Sequence, residues 1–185
     1  MCEEIPDAPI QLEGHILLAD PSLREGLFRK SVILLAEHNR EEGACGFILN
    51  RPTDQTVGDL LTSDEFAPLK NIRVHLGGPV GQEHLTFAAL WAKDHHLHFA
   101  TRISARNAII RTQQPGTLVR AFAGYSGWTR GQLEHELQKK SWITTLPEEQ
   151  ILQSEHEQKL WAEMLCHISP YHKILAEAPD DIFVN

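Results

Sequence analysis

Cysteine is scarce in this chain: Cys2, Cys45 and Cys166 are an odd number with no C-x-x-C spacing. That excludes a disulfide framework and a cysteine-based zinc site, and the three read as free thiols. Positive charge is in deficit too, with 17 lysines and arginines against 25 aspartates and glutamates and a formal net charge of −8. A surface of that sign repels phosphate backbones, so direct nucleic-acid binding is not expected. Long apolar runs are missing. Stretches such as Val32 to Ala36 are far too short to span a bilayer, and the acidic Met1–Asp7 segment cannot serve as the positive start of a signal peptide. No membrane association is expected, and the expected location is the cytoplasm.

Also missing are low-complexity tracts, internal repeats and Gly/Ser-rich linkers. What remains has ordinary globular composition, 42% hydrophobic and 23% charged over 185 residues. That length suits one core. The expected organisation is a flexible segment over 1–9 followed by a single α+β domain over 10–185.

Strands are predicted over 14–19, 31–36, 44–49, 72–76, 85–92, 97–100 and 117–125, with short helices near 56–61 and 104–111. Ser31 to Ala36 is nearly continuous apolar sequence, as a strand covered on both faces requires. Turn chemistry at Asn39 to Gly43 pairs it with Ala44 to Leu49 in a hairpin, and Asn50-Arg51-Pro52 stops the returning strand. Thr129 and Gln132 have capping-box spacing, with Trp128 and Leu133 placed as a hydrophobic staple, which predicts a helix over 130–140. Ser154 and Glu157 repeat the pattern before an apolar face of Leu160, Trp161, Met164, Leu165 and Ile168, predicting a helix over 155–168.

Several motifs invite chemical readings that their surroundings weaken. His96 and His98 share one strand face, but that face is opposite Leu97 and Phe99, and no second ligand pair completes a metal site. No metal and no cofactor are implied. Gly124-Tyr125-Ser126-Gly127-Trp128 has the position of a nucleophile elbow, yet tryptophan stands where the second glycine of that turn is needed. Gly77-Gly78-Pro79-Val80-Gly81 lacks the lysine and hydroxyl of a phosphate loop. Glu37-His38-Asn39 is the sharpest polar switch, although adjacent strand residues point to opposite faces and would not share one acid–base task.

Taken in order, Gly14–Pro21, Glu37–Asn39, Gly43–Gly46, Asn50–Pro52, Gly77–Val80, and Gly124–Trp128 followed by Gly131–Glu134 closely resemble the AlgH/YqgE family of bacterial proteins, in register from about residue 10 to the C-terminus. The resemblance implies a bifurcated, mostly antiparallel sheet forming a pseudo-barrel with packed helices. The family's association with transcriptional regulation is genetic, and this chain has neither the charge nor the helix-turn-helix pattern for direct DNA contact. Many members carry cysteine where this chain has Ala36, so thiol chemistry at that position does not transfer.

Three functions compete. The first is a non-catalytic binding or regulatory module for a protein or small metabolite, with Glu37, His38, Asn39 and Trp128 as the binding residues and no catalytic residue. The second is a hydrolase-like small-molecule enzyme using Glu37 or His38 as acid or base. The third, redox sensing through Cys45, finds no positive charge in its neighbours Ala44 and Gly46. In the hairpin, Glu37 and His38 lie beside the turn and Arg51 about 20 Å away at the far end, so these blocks should not form one site.

Overall fold

The apolar run at 32–36 becomes a strand buried on both faces, and the rest of the architecture is organised around it. In the computed structural model, which describes residues 11–94, 96–152 and 157–177, β1 (Ile16–Ala19) pairs antiparallel with β2 (Val32–Asn39), and β2 pairs with β3 (Gly43–Ile48) in the predicted hairpin. On one face, Ile16, Leu18, Val32, Leu34 and Phe47 pack against Trp161, Met164 and Leu165 of a helix over Leu160–Ile168. On the other, Leu17, Ile33, Leu35 and Ile48 pack against Trp128, Leu133 and Trp142. Two-sided covering explains why the run does not alternate.

The strands after β3 are β4 (Pro52–Thr56), β5 (Arg73–Leu76), β6 (Val80–Lys93), β7 (His96–Ile103), β8 (Thr117–Trp128) and β9 (Trp142–Thr145). The helices are α1 (Val57–Leu60), α2 (Ala105–Thr112), α3 (Gln132–Gln138), α4 (Leu160–Ile168) and α5 (Pro170–Glu177). The fork lies at β8. One edge of β8 carries β6 along residues 117–125; the other carries β5, parallel, at Ala121–Ala123 and then β3, antiparallel, at Ser126–Trp128. The fold is thus a single α+β unit with a bifurcated, mostly antiparallel sheet.

The sheet curls without closing into a barrel. Within the described residues β4, β7 and β9 each have one strand neighbour, and β7 returns toward β2 and β3 through side chains alone. The doublet Gly77-Gly78 lets the turn after β5 lie directly on β8: a Cβ on Gly77 would meet the Gly124 carbonyl oxygen at 2.3 Å, and one on Gly78 the Tyr125 backbone at 2.2 Å.

Several predicted boundaries shift, three of them for a visible physical reason. The C-terminal helix begins at Leu160 rather than 155, with residues 157–159 in a turn and Ser154 outside the described residues. Glu157 is engaged elsewhere, its carboxylate 2.8 Å from His75 Nε2 and 2.9 Å from Arg120 Nη2. At the other capping pattern, Thr129 N–H does donate to Gln132 Oε1 (3.1 Å), but Gly131 adopts a left-handed conformation (φ 73°), so α3 starts at Gln132. Pro52 ends nothing further: β3 has stopped at Ile48, and Pro52 opens edge strand β4, a position where a missing N–H is harmless. The proposed flexible segment 1–9 lies outside the described residues.

Candidate functional site

Irregularities in a sheet cost ladder hydrogen bonds, and among the described residues three of the four register shifts, all but the one between Pro52 and Thr56, collect around one place. In β2 the step from Leu35 to Glu37 faces the single step from Gly46 to Cys45, so Ala36 is an extra residue. In β7 the stretch from Ala100 to Ile103 faces the shorter one from Ala89 to Phe87, another bulge, and within it Arg102 has φ 54°. In β6 the segment between Val80 and Leu85 loops out opposite Tyr125 and Ala123, beside Gly124 at φ 68°. Bulges of this kind bend strands and re-aim side chains, and they concentrate at barrel rims and functional sites.

The re-aimed side chains meet. Arg102 Nη1 donates to Glu37 Oε1 at 2.6 Å, and Nη2 donates to Cys45 Sγ at 3.2 Å. Around them opens a trough of about 450 Å³ lined by Glu37, Asn39, Glu42, Arg102, Tyr125 and Trp128 among others. A second concavity of about 200 Å³, with His84 and Thr86 in its wall, shares Arg102 and Tyr125 with the first. Arg102 therefore stands at the junction of two hollows.

The strand's alternation separates the polar triplet. Glu37 is exposed on the trough side, whereas the His38 ring is buried on the opposite face. There His38 Nδ1 accepts the Leu12 N–H (3.1 Å), leaving Nε2 to donate to Glu134 Oε1 (2.9 Å). Burial works to raise the Glu134 pKa, but hydrogen bonds from its own backbone N–H and from His38, with the charge of Arg40, hold it below the usual carboxylate range. Asn39 returns to the trough side, its Oδ1 accepting the Glu41 N–H (2.9 Å) in an Asx-turn. Trp128 is 6% exposed; it pairs with Ala44, which pairs with His38, so its indole lies on the His38 face with Leu35, Leu133 and Trp142, its N–H donating to Glu136 Oε2 (2.8 Å), and the residue only borders the trough. Of the four residues proposed for binding, the structure keeps Glu37 and Asn39 on the trough side and sends the side chains of His38 and Trp128 to the opposite face.

Asn50 and Arg51 serve the far end of the hairpin. Asn50 accepts the Val32 N–H (2.9 Å) and donates to the Lys30 carbonyl (2.8 Å), and Arg51 donates to the carbonyls of Leu27 and Arg29. Neither reaches Glu37, whose partner is Arg102. Ser126 is fully buried and donates to the Gly77 carbonyl (3.1 Å), a structural turn rather than a nucleophile. His96 and His98 stand exposed on β7, with His98 stacked on Trp91 at 5.9 Å. Among the described residues no three His, Cys, Asp or Glu side chains gather closely enough to hold a metal ion.

The expectation that Cys45 lacks a nearby cation is corrected by Arg102, which arrives from β7 rather than from sequence neighbours. Burial nevertheless outweighs the Arg102 charge and pushes the thiol above its ordinary pKa, so at neutral pH it is a protonated side chain accepting a hydrogen bond. Arg102 itself carries no sequence signal, being a lone arginine in a strand whose neighbours match no motif.

The fold thus places a trough at the rim of a forked sheet on an α+β scaffold, where bulged strands meet. The chain belongs to the AlgH-like family, whose model matches residues 16–172. It is 34% identical to a UPF0301 protein of Parabacteroides distasonis, with 95% of this chain and 92% of that protein aligned. It is 33% identical to a UPF0301 protein of Streptomyces coelicolor, over 94% and 95%. Among solved structures it is similar to the AlgH protein of Pseudomonas aeruginosa (TM-score 0.64, 25% identity, 93% of this chain and 97% of that one). The fold also matches protein DIP2367 of Corynebacterium diphtheriae (TM-score 0.73, 21% identity, 91% and 93%).

Proposed function

We propose that this protein is a non-catalytic binding module, acting in the cytoplasm in a regulatory capacity, whose trough takes a small metabolite or a segment of a protein partner without direct DNA contact. The observation that carries this reading is the conformation of Arg102. Holding a non-glycine residue in the left-handed region costs about 1–2 kcal/mol. Its ion pair with Glu37 joins side chains that are 51% and 58% exposed, a class worth about 0–1 kcal/mol. Lys30, Asp94 and Lys140 share that conformation, but Arg102 combines it with a place at the junction of the two hollows, where the exposed ion pair offsets little of the cost and a ligand would offset more.

The acid–base reading has less support. Glu37 is tied up by the Arg102 guanidinium, and His38 works on the opposite face of β2. Mass spectrometry under native conditions on protein purified gently from cells tests the proposal. The parent chain should retain a bound molecule that Arg102→Asn has lost, while the variant, in a residue type that tolerates the left-handed region, unfolds within about 1 kcal/mol of the parent. Equal retention by both chains, or none by either, would count against the trough.

A further inference from the structure

We infer that the trough is built for a zwitterion, an α-amino acid with a large apolar side chain that inserts between the Glu37 carboxylate and the Arg102 guanidinium. This rests on the trough being a ligand site and names the chemistry it selects. Glu37 and Arg102 face each other across the wall of the trough at 2.6 Å, both about half exposed and free to part. The other Arg102 contact is with the Cys45 thiol, a weak acceptor that a carboxylate readily replaces.

Charge accounting then discriminates among ligands. A simple anion would take Arg102 and leave Glu37 unpaired beside Glu42, which lines the same trough. A simple cation would take Glu37 and leave Arg102 with the thiol alone. A molecule carrying both charges answers each group, its carboxylate on the planar fork of Arg102 and its ammonium on Glu37. Polyphosphates are disfavoured by the two carboxylates and the net charge of −8. The apolar part of the ligand meets Val80 and Tyr125. Val80 is 41% exposed, an apolar surface open to be covered. The volume of about 450 Å³ falls within the range that encloses small molecules.

The test is an amide chemical-shift titration of the isotope-labelled full chain with L-phenylalanine, N-acetyl-L-phenylalanine, which keeps only the carboxylate, and L-phenylalaninamide, which keeps only the ammonium. Phenylalanine should move the amides of Glu37, Cys45, Arg102 and Gly127 and bind at least about tenfold more tightly than either blocked form, since each lost charge-assisted hydrogen bond is worth about a factor of ten or more. Glu37→Gln and Arg102→Asn, shown folded by their own spectra, should each lower the phenylalanine affinity about tenfold. Equal binding of the acetylated form would overturn the inference in favour of an anion site, and equal binding of the amide in favour of an acidic patch. If none of the three moves these amides but a protein-free small-molecule extract of bacterial cells does, the zwitterion fails and the trough reading stands. If the extract moves none of them either, the zwitterion fails and so does the small-metabolite form of the trough reading.

Discussion

Glu157→Ala should destabilise the protein by about 3–5 kcal/mol, the range for removing one partner of a buried ion pair. Arg120 is 2% exposed, surrounded by the core of the forked sheet, and its charge is answered by Glu157 at 2.9 Å. The same carboxylate oxygen lies 2.8 Å from His75 Nε2, and Arg120 also donates to the Leu49 and Ile151 carbonyls. Burial lowers the Arg120 pKa and Glu157 opposes that; truncating Glu157 leaves a guanidinium in an apolar interior with only carbonyls to meet it. Urea unfolding midpoints would measure the loss, and a change below about 1 kcal/mol would mean that solvent reaches Arg120.

The same network sets an acid limit. Burial works to raise the Glu157 pKa, but the His75 hydrogen bond and the charges of Arg120, His75 and Arg73 prevail and hold it below the ordinary carboxylate range. A folded-state pKa lower than the unfolded one contributes stability that is fully present above the unfolded value and is lost as pH falls through the folded one. The parent should therefore weaken below the ordinary carboxylate range, and Glu157→Ala, having lost that contribution at every pH, should show a flatter acid limb.

Trp128→Ala should cost about 3–5 kcal/mol, the range for truncating a buried aromatic. The indole packs edge-on against Trp142 (centroids 6.1 Å apart, planes at 78°) in the cluster that holds Leu133. Glu136 Oε2 accepts both indole N–H groups, from Trp128 at 2.8 Å and from Trp142 at 2.7 Å. Trp128→Phe keeps an aromatic ring in the cluster, though a smaller one, and surrenders one charge-assisted hydrogen bond, so it should cost less, about 1.5–3 kcal/mol. Denaturant midpoints for the pair separate packing from hydrogen bonding, and a change under about 0.5 kcal/mol for Trp128→Ala would mean a tryptophan held by the trough rather than by the core.

The hairpin of β2 and β3 was legible because an unbroken apolar run, an Asn-to-Gly turn and a second run are local signals. The placement of Trp128 against Leu133 was legible for the same reason. The start of α4 was not, because the Ser154–Glu157 spacing has two uses and Glu157 is bonded to Arg120 and His75 on distant strands. Edge strands β4 and β9, five and four residues long, are too short for alternation to stand out. The site was half visible. Glu37 and Asn39 announce themselves as a polar switch, but a bulge is a property of two strands paired, and no single strand's sequence reveals it. Arg102 lies 65 residues from Glu37 and acts there only because β7 curls back over β2. His38 carried the same local signal as Glu37 and parted from it by the two-residue period of the strand.

The most direct measurement is a map of amide chemical-shift changes when a protein-free small-molecule extract of bacterial cells is added to the isotope-labelled chain. Changes should concentrate at Glu37, Asn39, Cys45, Arg102, Tyr125 and Gly127, where the three bulged strands meet, with Leu12 and Glu134 on the far side of β2 unmoved. Changes centred on Leu12, His38 and Glu134 instead, with the trough silent, would contradict the assignment of the binding site to the Arg102 face.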